Sequence, residues 1–149
     1  MRRDYFTLDE AGVHPDDPDR PVVRITYEGP TEELESRLRR GGAPLDSDGI
    51  DITYRLQTAL DADAPKGVFA IADRVTGEYI LELNADAEAV FSVTEAVADG
   101  EESNGHYRLV IRTDDGTKLA AYRKSTLLIY DRDGELLRER SLIPSGVEI

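Results

Sequence analysis

Three segments of this chain place two aspartates in the three residues before a glycine, a pattern found both in calcium loops and in tight turns. They are LDSDGID at 45–51, RTDDGTK at 112–118 and YDRDGEL at 130–136. An EF-hand calcium loop needs acids at positions 1, 3 and 5, glycine at 6 and glutamate at 12. With each glycine at position 6, the three segments have proline or isoleucine at position 1 and arginine or tyrosine at position 12. These side chains do not ligate calcium, so the segments are predicted to be turns.

Residues for other metal or catalytic chemistry are sparse. The chain has no cysteine, and its two histidines, His14 and His106, lie far apart. It has no GxSxG, GxxxxGK[ST] or GxGxxG motif, so no nucleophile elbow or phosphate loop is indicated. The sequence therefore predicts no catalytic, metal or cofactor residue. A catalytic triad is defined by geometry rather than by spacing, so an enzyme stays open as an alternative.

Four arginines are expected on the outward side of strands. They are Arg24, Arg55, Arg108 and Arg112. If their strands are neighbours, the guanidinium groups form a stripe that suits a phosphate, a nucleic-acid backbone or an acidic partner. The alternative is cross-strand ion pairing, worth about 0.2–1 kcal/mol per exposed pair, and the acidic composition favours it. The acids available for such pairing are Glu28, Asp51, Glu78 and Glu82.

Net charge is the strongest compositional signal. Thirty-one acidic and eighteen basic residues give a formal net charge of −13, and lysine occurs only three times. Repulsion among the acids weakens a compact state in dilute buffer, but molar salt shortens the Debye length to about 3 Å. The composition therefore predicts a protein adapted to a salt-filled cytoplasm, and the alternative is an ordinary acidic protein.

Chain length and hydropathy predict one domain over residues 1–149. Hydrophobic residues make up 40% of the chain, enough for a core in a chain of this size. No segment approaches the roughly 20 apolar residues that span a bilayer. The opening MRRDYFTL is followed by polar residues rather than by the apolar stretch of an export signal. A cytoplasmic location without membrane contact is expected.

Periodicity predicts the elements that position these side chains. Period-two alternation indicates strands at 22–28, 50–57, 67–84 (two strands), 106–113, 118–124, 126–131 and 135–141, after a first strand at 4–10. Helices are expected at 29–42, with Thr31 as cap and Gly41 as stop, and at 85–100. Residues 12–21 are predicted to be an acidic, proline-rich loop.

These elements predict an α+β fold. Eight or nine short strands are expected to form a mostly antiparallel sheet, with two helices packed on one face. Tyr27 and Tyr54 fall on the inward side of their strands, so they are not available to stack on nucleic-acid bases.

Several segments carry a resemblance to a known family. The opening MRRDYFTL, the central YRLQ and RVTGEYILELNADA, and the ending LIYDRDGELLRERSLIPSGVEI are the relevant segments. Together they resemble a family of small acidic haloarchaeal proteins of unknown function, along the whole chain. The resemblance implies a salt-adapted, cytoplasmic, single-domain protein and transfers no catalytic or binding residue.

The first functional hypothesis is a non-enzymatic module for protein–protein contact, acting on a protein partner or as a homodimer. A small hydrolase or transferase with a carboxylate-lined cleft is the alternative. Nucleic-acid binding ranks third, because a net charge of −13 opposes contact with phosphates.

Overall fold

A computed structural model describes residues 3–14, 17–99 and 105–143 of the chain. Within these residues lie two α-helices, α1 (Thr31–Arg37) and α2 (Ala87–Asp99). The strands are β1 (Phe6–His14), β2 (Asp17–Tyr27), β3 (Arg39–Arg40), β4 (Ala43–Pro44), β5 (Ile50–Leu56), β6 (Lys66–Asp73), β7 (Tyr79–Asp86), β8 (Tyr107–Thr113), β9 (Lys118–Lys124) and β10 (Leu128–Tyr130).

The strands form two four-stranded sheets and one small hairpin. The first sheet has the order β1–β2–β8–β9, the second β10–β5–β6–β7, and β3 pairs with β4. Each large sheet contains one parallel pair, β2 with β8 and β5 with β10. The α+β class and the two helices are thus confirmed. The strand count and the antiparallel arrangement are only partly matched.

The parallel pairs explain why the single-sheet prediction was wrong. β2 ends at Tyr27 and β8 begins at Tyr107, so these neighbours are separated by about half the chain. Alternation shows which side of a strand is buried but does not identify its neighbours. A choice between one sheet and two therefore could not come from periodicity.

Both large sheets contribute to one shared hydrophobic core. The predicted inward residues are buried, among them Ile25, Tyr27, Ile52, Tyr54, Leu109 and Ile111. The helices add Leu34 and Leu38 from α1 and Ala87, Val90 and Val93 from α2. Burying one such large apolar side chain stabilises the fold by about 1.5–3 kcal/mol. The helices thus complete a core shared by two sheets rather than cover one face of a single sheet.

The helix predicted at 29–42 is shorter than its expected cap and stop residues indicated. α1 ends at Arg37, and Thr31 is its first residue rather than its cap, which is Pro30. Gly41 and Gly42 have φ values of 60° and 83° and form the turn between β3 and β4. Two consecutive positive φ angles suit a two-residue hairpin, so Gly41 serves a strand turn instead of a helix stop.

The predicted loop at 12–21 is largely strand. β1 reaches His14 and β2 begins at Asp17, while residues 15 and 16 lie outside the described part. β2 pairs with β8 only from Val22 onward, so residues 17–21 have one neighbouring strand. Proline lacks an N–H donor and is tolerated in a strand segment with a free edge. Strand pairing therefore extends into a stretch whose composition indicated a loop.

The predicted strand at 135–141 is absent from the described residues, which form turns there. Leu136 makes only an isolated bridge to Tyr130. Ser141 Oγ accepts the Ile129 N–H at 2.8 Å and donates to the Leu137 carbonyl at 2.8 Å. A side chain therefore makes hydrogen bonds that a ladder of strands would otherwise supply.

Candidate functional site

The four predicted arginines lie on two different surfaces. Arg24 lies on β2 and Arg108 and Arg112 lie on β8, all in the first sheet. Arg55 lies on β5 in the second sheet. The arginines predicted to form one stripe therefore lie at two separate sites. Each site also contains cations that the sequence analysis did not group with these arginines.

The first surface, called the β8–β9 basic face, consists of Arg108, Arg112, Lys118 and Arg123. Arg108 is directly opposite Arg123, and Arg112 is directly opposite Lys118. Arg24 is opposite Val110, between these two pairs. Neighbouring strands are about 4.8 Å apart, and alternate residues on one strand are roughly 6.7 Å apart. These spacings place the four cations of the face and the adjacent Arg24 on a patch of about 10 by 13 Å.

The four side chains of the β8–β9 basic face make no hydrogen bond or ion pair with any described residue. Two of the four acids expected to neutralise the arginines are engaged elsewhere: Asp51 pairs with Arg74 at 2.9 Å and Glu82 with Arg3 at 3.4 Å. Like charges directly opposite on neighbouring strands destabilise a sheet by about 0.2–1 kcal/mol per pair. Within the described residues, cross-strand neutralisation therefore does not balance the charges of these four side chains.

The second surface, called the arginine trough, lies on the side of the second sheet that faces away from the core. Its cavity of about 390 Å³ is lined by three arginines, Arg3, Arg55 and Arg132, together with Tyr79 and Glu82. The Arg55 Nη2 donates to the Arg132 carbonyl at 3.4 Å. Three arginines facing one glutamate give this lining a formal charge of +2.

The acid–glycine segments are turns, and one of them supports the trough. The Asp131 carboxylate accepts the backbone N–H groups of Asp133 and Glu135, both at 2.9 Å. Gly134 has a φ of 86°. Asp131, one of the two acids that flank Arg132, is therefore occupied by its own turn. Among the described residues, no group of three or more His, Asp or Glu side chains could hold a metal ion.

The other two segments also bend the chain. In 112–118, Asp115 accepts the Thr117 N–H at 3.0 Å and the Thr113 hydroxyl. Gly116 there has a φ of 90°. Segment 45–51 forms a 3-10 turn at Ser47–Gly49 that leads into β5. The turn prediction is confirmed, although this last turn is not a hairpin.

Among the described residues, two carboxyl groups have shifted pKa values, and both shifts are downward. Hydrogen bonds from the Thr113 hydroxyl and from Thr117 lower the pKa of Asp115. Desolvation acts to raise the pKa of Asp73, but hydrogen bonds from Thr76 and Val75 and the ion pair with Arg40 outweigh it. A general acid at neutral pH needs a raised pKa, so the shifts of these two acids run in the opposite direction.

Lys124 is the one buried lysine among the described residues, with 5% of its surface exposed. Its Nζ donates to the Ser47 carbonyl at 2.7 Å and to the Ile50 carbonyl at 2.8 Å. Burial lowers the pKa of Lys124, and Arg74 acts in the same direction. Both hydrogen bonds go to backbone carbonyls at the start of β5, so Lys124 joins the two large sheets rather than acting as a nucleophile.

Sequence reasoning missed four of the cations. Arg123 could have been found, because alternation with buried Tyr122 places it on the outward side of β9. Lys118 comes to the same face only through a register shift between Ile111 and Arg112. Arg3 and Arg132 lie outside the strands and carry no periodic signal.

These features define a small α+β protein with two cationic surfaces on a strongly acidic chain. No helix within the described residues combines the length and the apolar character needed to cross a membrane. The chain belongs to DUF5793, a family of unknown function, which it matches over residues 1–149. Comparison with curated proteins and with solved structures gives no match.

Proposed function

We propose that this protein is a non-enzymatic interaction module that binds an acidic segment of a protein partner through the β8–β9 basic face. The observation that carries this proposal is the pairing of like charges, Arg108 with Arg123 and Arg112 with Lys118. Such pairs cost stability, and local rules are typically broken where a surface serves a function. A carboxylate-rich partner would neutralise both pairs at once.

A protein partner fits this face better than nucleic acid does. The tyrosines of its strands, Tyr107 and Tyr122, are buried in the core, so the face offers no ring for base stacking. The formal charge of −13 also opposes approach to a polyanionic backbone. A short acidic segment meets less of this repulsion because it covers only the basic patch.

The same charge supports a salt-adapted, cytoplasmic setting, which is part of the proposal. In concentrated salt, long-range repulsion between the chain and an acidic partner is screened within a few ångströms. Guanidinium–carboxylate contacts at hydrogen-bonding distance are screened less and keep their geometry. The basic face would therefore recognise its partner by close contact rather than by long-range attraction.

Affinity capture tests the proposal directly. The wild-type chain, an Arg108→Glu/Arg123→Glu variant and an Arg39→Glu/Lys66→Glu control would each be immobilised and exposed to cell extract in concentrated KCl. Arg39 and Lys66 are exposed cations outside the basic face, so the control has the same change in net charge. We expect an acidic protein to be recovered with the wild type and the control and lost with the Arg108/Arg123 variant.

The captured protein would then be purified and titrated against the same three chains. Charge reversal at two contacts should weaken its binding by at least about tenfold. Equal binding to all three chains would refute the β8–β9 basic face as the binding surface. Recovery of nucleic acid instead of protein would refute the partner class.

A further inference from the structure

The arginine trough has the form of a ligand site. Val68 and Ala70 on β6 form its floor, with only 8% and 4% of their surfaces exposed although they lie on the side of the sheet away from the core. Ala70 is opposite Thr53 on one side and Glu82 on the other. Small side chains on the central strand and long ones on its neighbours produce a concave surface. The cavity volume of about 390 Å³ is within the range of small-molecule sites.

One end of the trough is built to hold an anion. Arg55 uses one N–H for the Arg132 carbonyl, and its remaining donors make no hydrogen bond with the described residues. The Arg132 side chain likewise has no partner among the described residues. The turn held by Asp131 fixes the backbone from which Arg132 projects. The Arg55 guanidinium, held by this hydrogen bond, and the Arg132 guanidinium, carried by a fixed backbone, offer planar donor pairs, which match phosphate oxygens.

The other end of the trough offers a flat apolar surface. Tyr79 is one of three large apolar side chains that are exposed in the described part of the chain, with 58% of its surface accessible. Its backbone carbonyl accepts a hydrogen bond from Arg37 Nη1 at 3.3 Å, which ties the start of β7 to α1. An exposed aromatic ring of this kind can stack on a nucleobase, which is typically worth about 1–3 kcal/mol.

The spacing between the two ends suits one ligand. Arg55 is level with Val68, and Tyr79 is level with Ala72. Four residues of strand separate these levels, roughly 13 Å, and both side chains line the same cavity. Glu82 lies between them with one oxygen toward Arg3. A carboxylate in this position can accept a hydrogen bond from a ribose hydroxyl, as acidic residues do in dinucleotide sites.

We propose that the arginine trough binds a free nucleoside monophosphate, with the phosphate at Arg55 and Arg132, the ribose at Glu82 and the base against Tyr79. This site is separate from the β8–β9 basic face and does not depend on the function proposed for that face.

Calorimetric titration tests this proposal with adenosine monophosphate, guanosine monophosphate, adenosine, inorganic phosphate and a short RNA oligonucleotide as probes. The proteins would be the wild type, Arg55→Gln, Arg132→Gln and Tyr79→Ala. Arg140→Gln serves as the control, because it makes the same change in charge at an exposed arginine that lies outside both the trough and the β8–β9 basic face. Thermal unfolding of each variant would show that the fold is retained.

We expect at least one monophosphate to bind the wild type and the Arg140→Gln control equally. Arg55→Gln and Arg132→Gln should each weaken it by about tenfold or more, since hydrogen bonds to charged groups are lost. Tyr79→Ala should weaken monophosphate binding by roughly tenfold and leave inorganic phosphate unchanged.

Three results would overturn the proposal. The first is no binding of either monophosphate, or binding that Arg55→Gln does not change. The second is inorganic phosphate binding as tightly as the nucleotides, which would remove the base from the site. The third is RNA binding far more tightly than the monophosphates, which would assign the trough to a nucleic-acid strand instead of a free nucleotide.

Discussion

Substitution of Lys124 by methionine tests how the two sheets are joined. Methionine keeps most of the length and apolar contact of the lysine side chain but removes both hydrogen bonds to the Ser47 and Ile50 carbonyls. Hydrogen bonds to a charged group contribute about 1.5–3 kcal/mol each. Part of this gain is offset in the native protein by the cost of burying an ammonium group, so we expect a net loss of about 2–3 kcal/mol.

Denaturant unfolding, monitored by circular dichroism, would measure this loss of unfolding free energy. Lys66→Met is the matched control, since it makes the same change at an exposed position outside the β8–β9 basic face and should alter stability by no more than about 0.5 kcal/mol. In thermal scans the Lys124 variant should unfold roughly 5–10 °C below the wild type. If the two variants are equally stable, Lys124 does not hold the sheets together.

The pH dependence of the Lys124 effect has a defined sign. Burial lowers the pKa of Lys124 in the folded protein below its ordinary value of 10.5. As pH rises toward 10.5, the folded state therefore loses this proton before the unfolded state does, and folding becomes more favourable. The neutral amine still donates to both carbonyls. The stability advantage of the wild type over Lys124→Met should thus grow with rising pH in that window, and a shrinking advantage would contradict the assigned pKa shift.

Three further outcomes are expected. Gly67→Ala should destabilise the fold by about 1–3 kcal/mol in urea unfolding, because a Cβ there would lie 2.3 Å from the Arg55 carbonyl oxygen. Gly49→Ala is the control, because the nearest atom to a Cβ there is 3.4 Å away. Equal losses of stability in the two variants would refute the steric explanation. Asp131→Ala should lower the free energy of unfolding by about 1–2 kcal/mol, because two hydrogen bonds of the turn are lost. Added Ca²⁺ should not change the melting temperature of the wild type. A calcium-dependent rise in that temperature would restore the metal-loop interpretation. Transfer from concentrated KCl to dilute buffer should lower the melting temperature, because the Debye length grows from about 3 Å at 1 M to about 30 Å at 0.01 M; an unchanged value would argue against salt adaptation.

The inward residues of most strands were predictable because their signal is local. In β5, Ile50, Ile52, Tyr54 and Leu56 are all buried, and the residues between them are more exposed. The turns at Gly77, Gly116 and Gly134 were equally readable, since each glycine adopts the positive φ that a tight turn requires. These features depend on a few neighbouring residues.

The composition of the two surfaces was not predictable because it depends on distant pairing. Arg24 and Arg108 share a face only because β2 and β8 are parallel neighbours. Arg55 was grouped with them by its outward position alone, yet its strand belongs to the other sheet. Arg132 reaches the trough through a turn bonded to β5, and no period in the sequence marks such a contact.

Titration with a glutamate-rich peptide tests the central claim, that the β8–β9 basic face binds an acidic segment, most directly. The wild type, Arg108→Gln/Arg123→Gln and the control Arg39→Gln/Lys66→Gln would be compared in the same salt. We predict binding to the wild type and the control, and at least about tenfold weaker binding to the Arg108/Arg123 variant. Equal affinity for all three chains, or no binding to the wild type, would contradict the account.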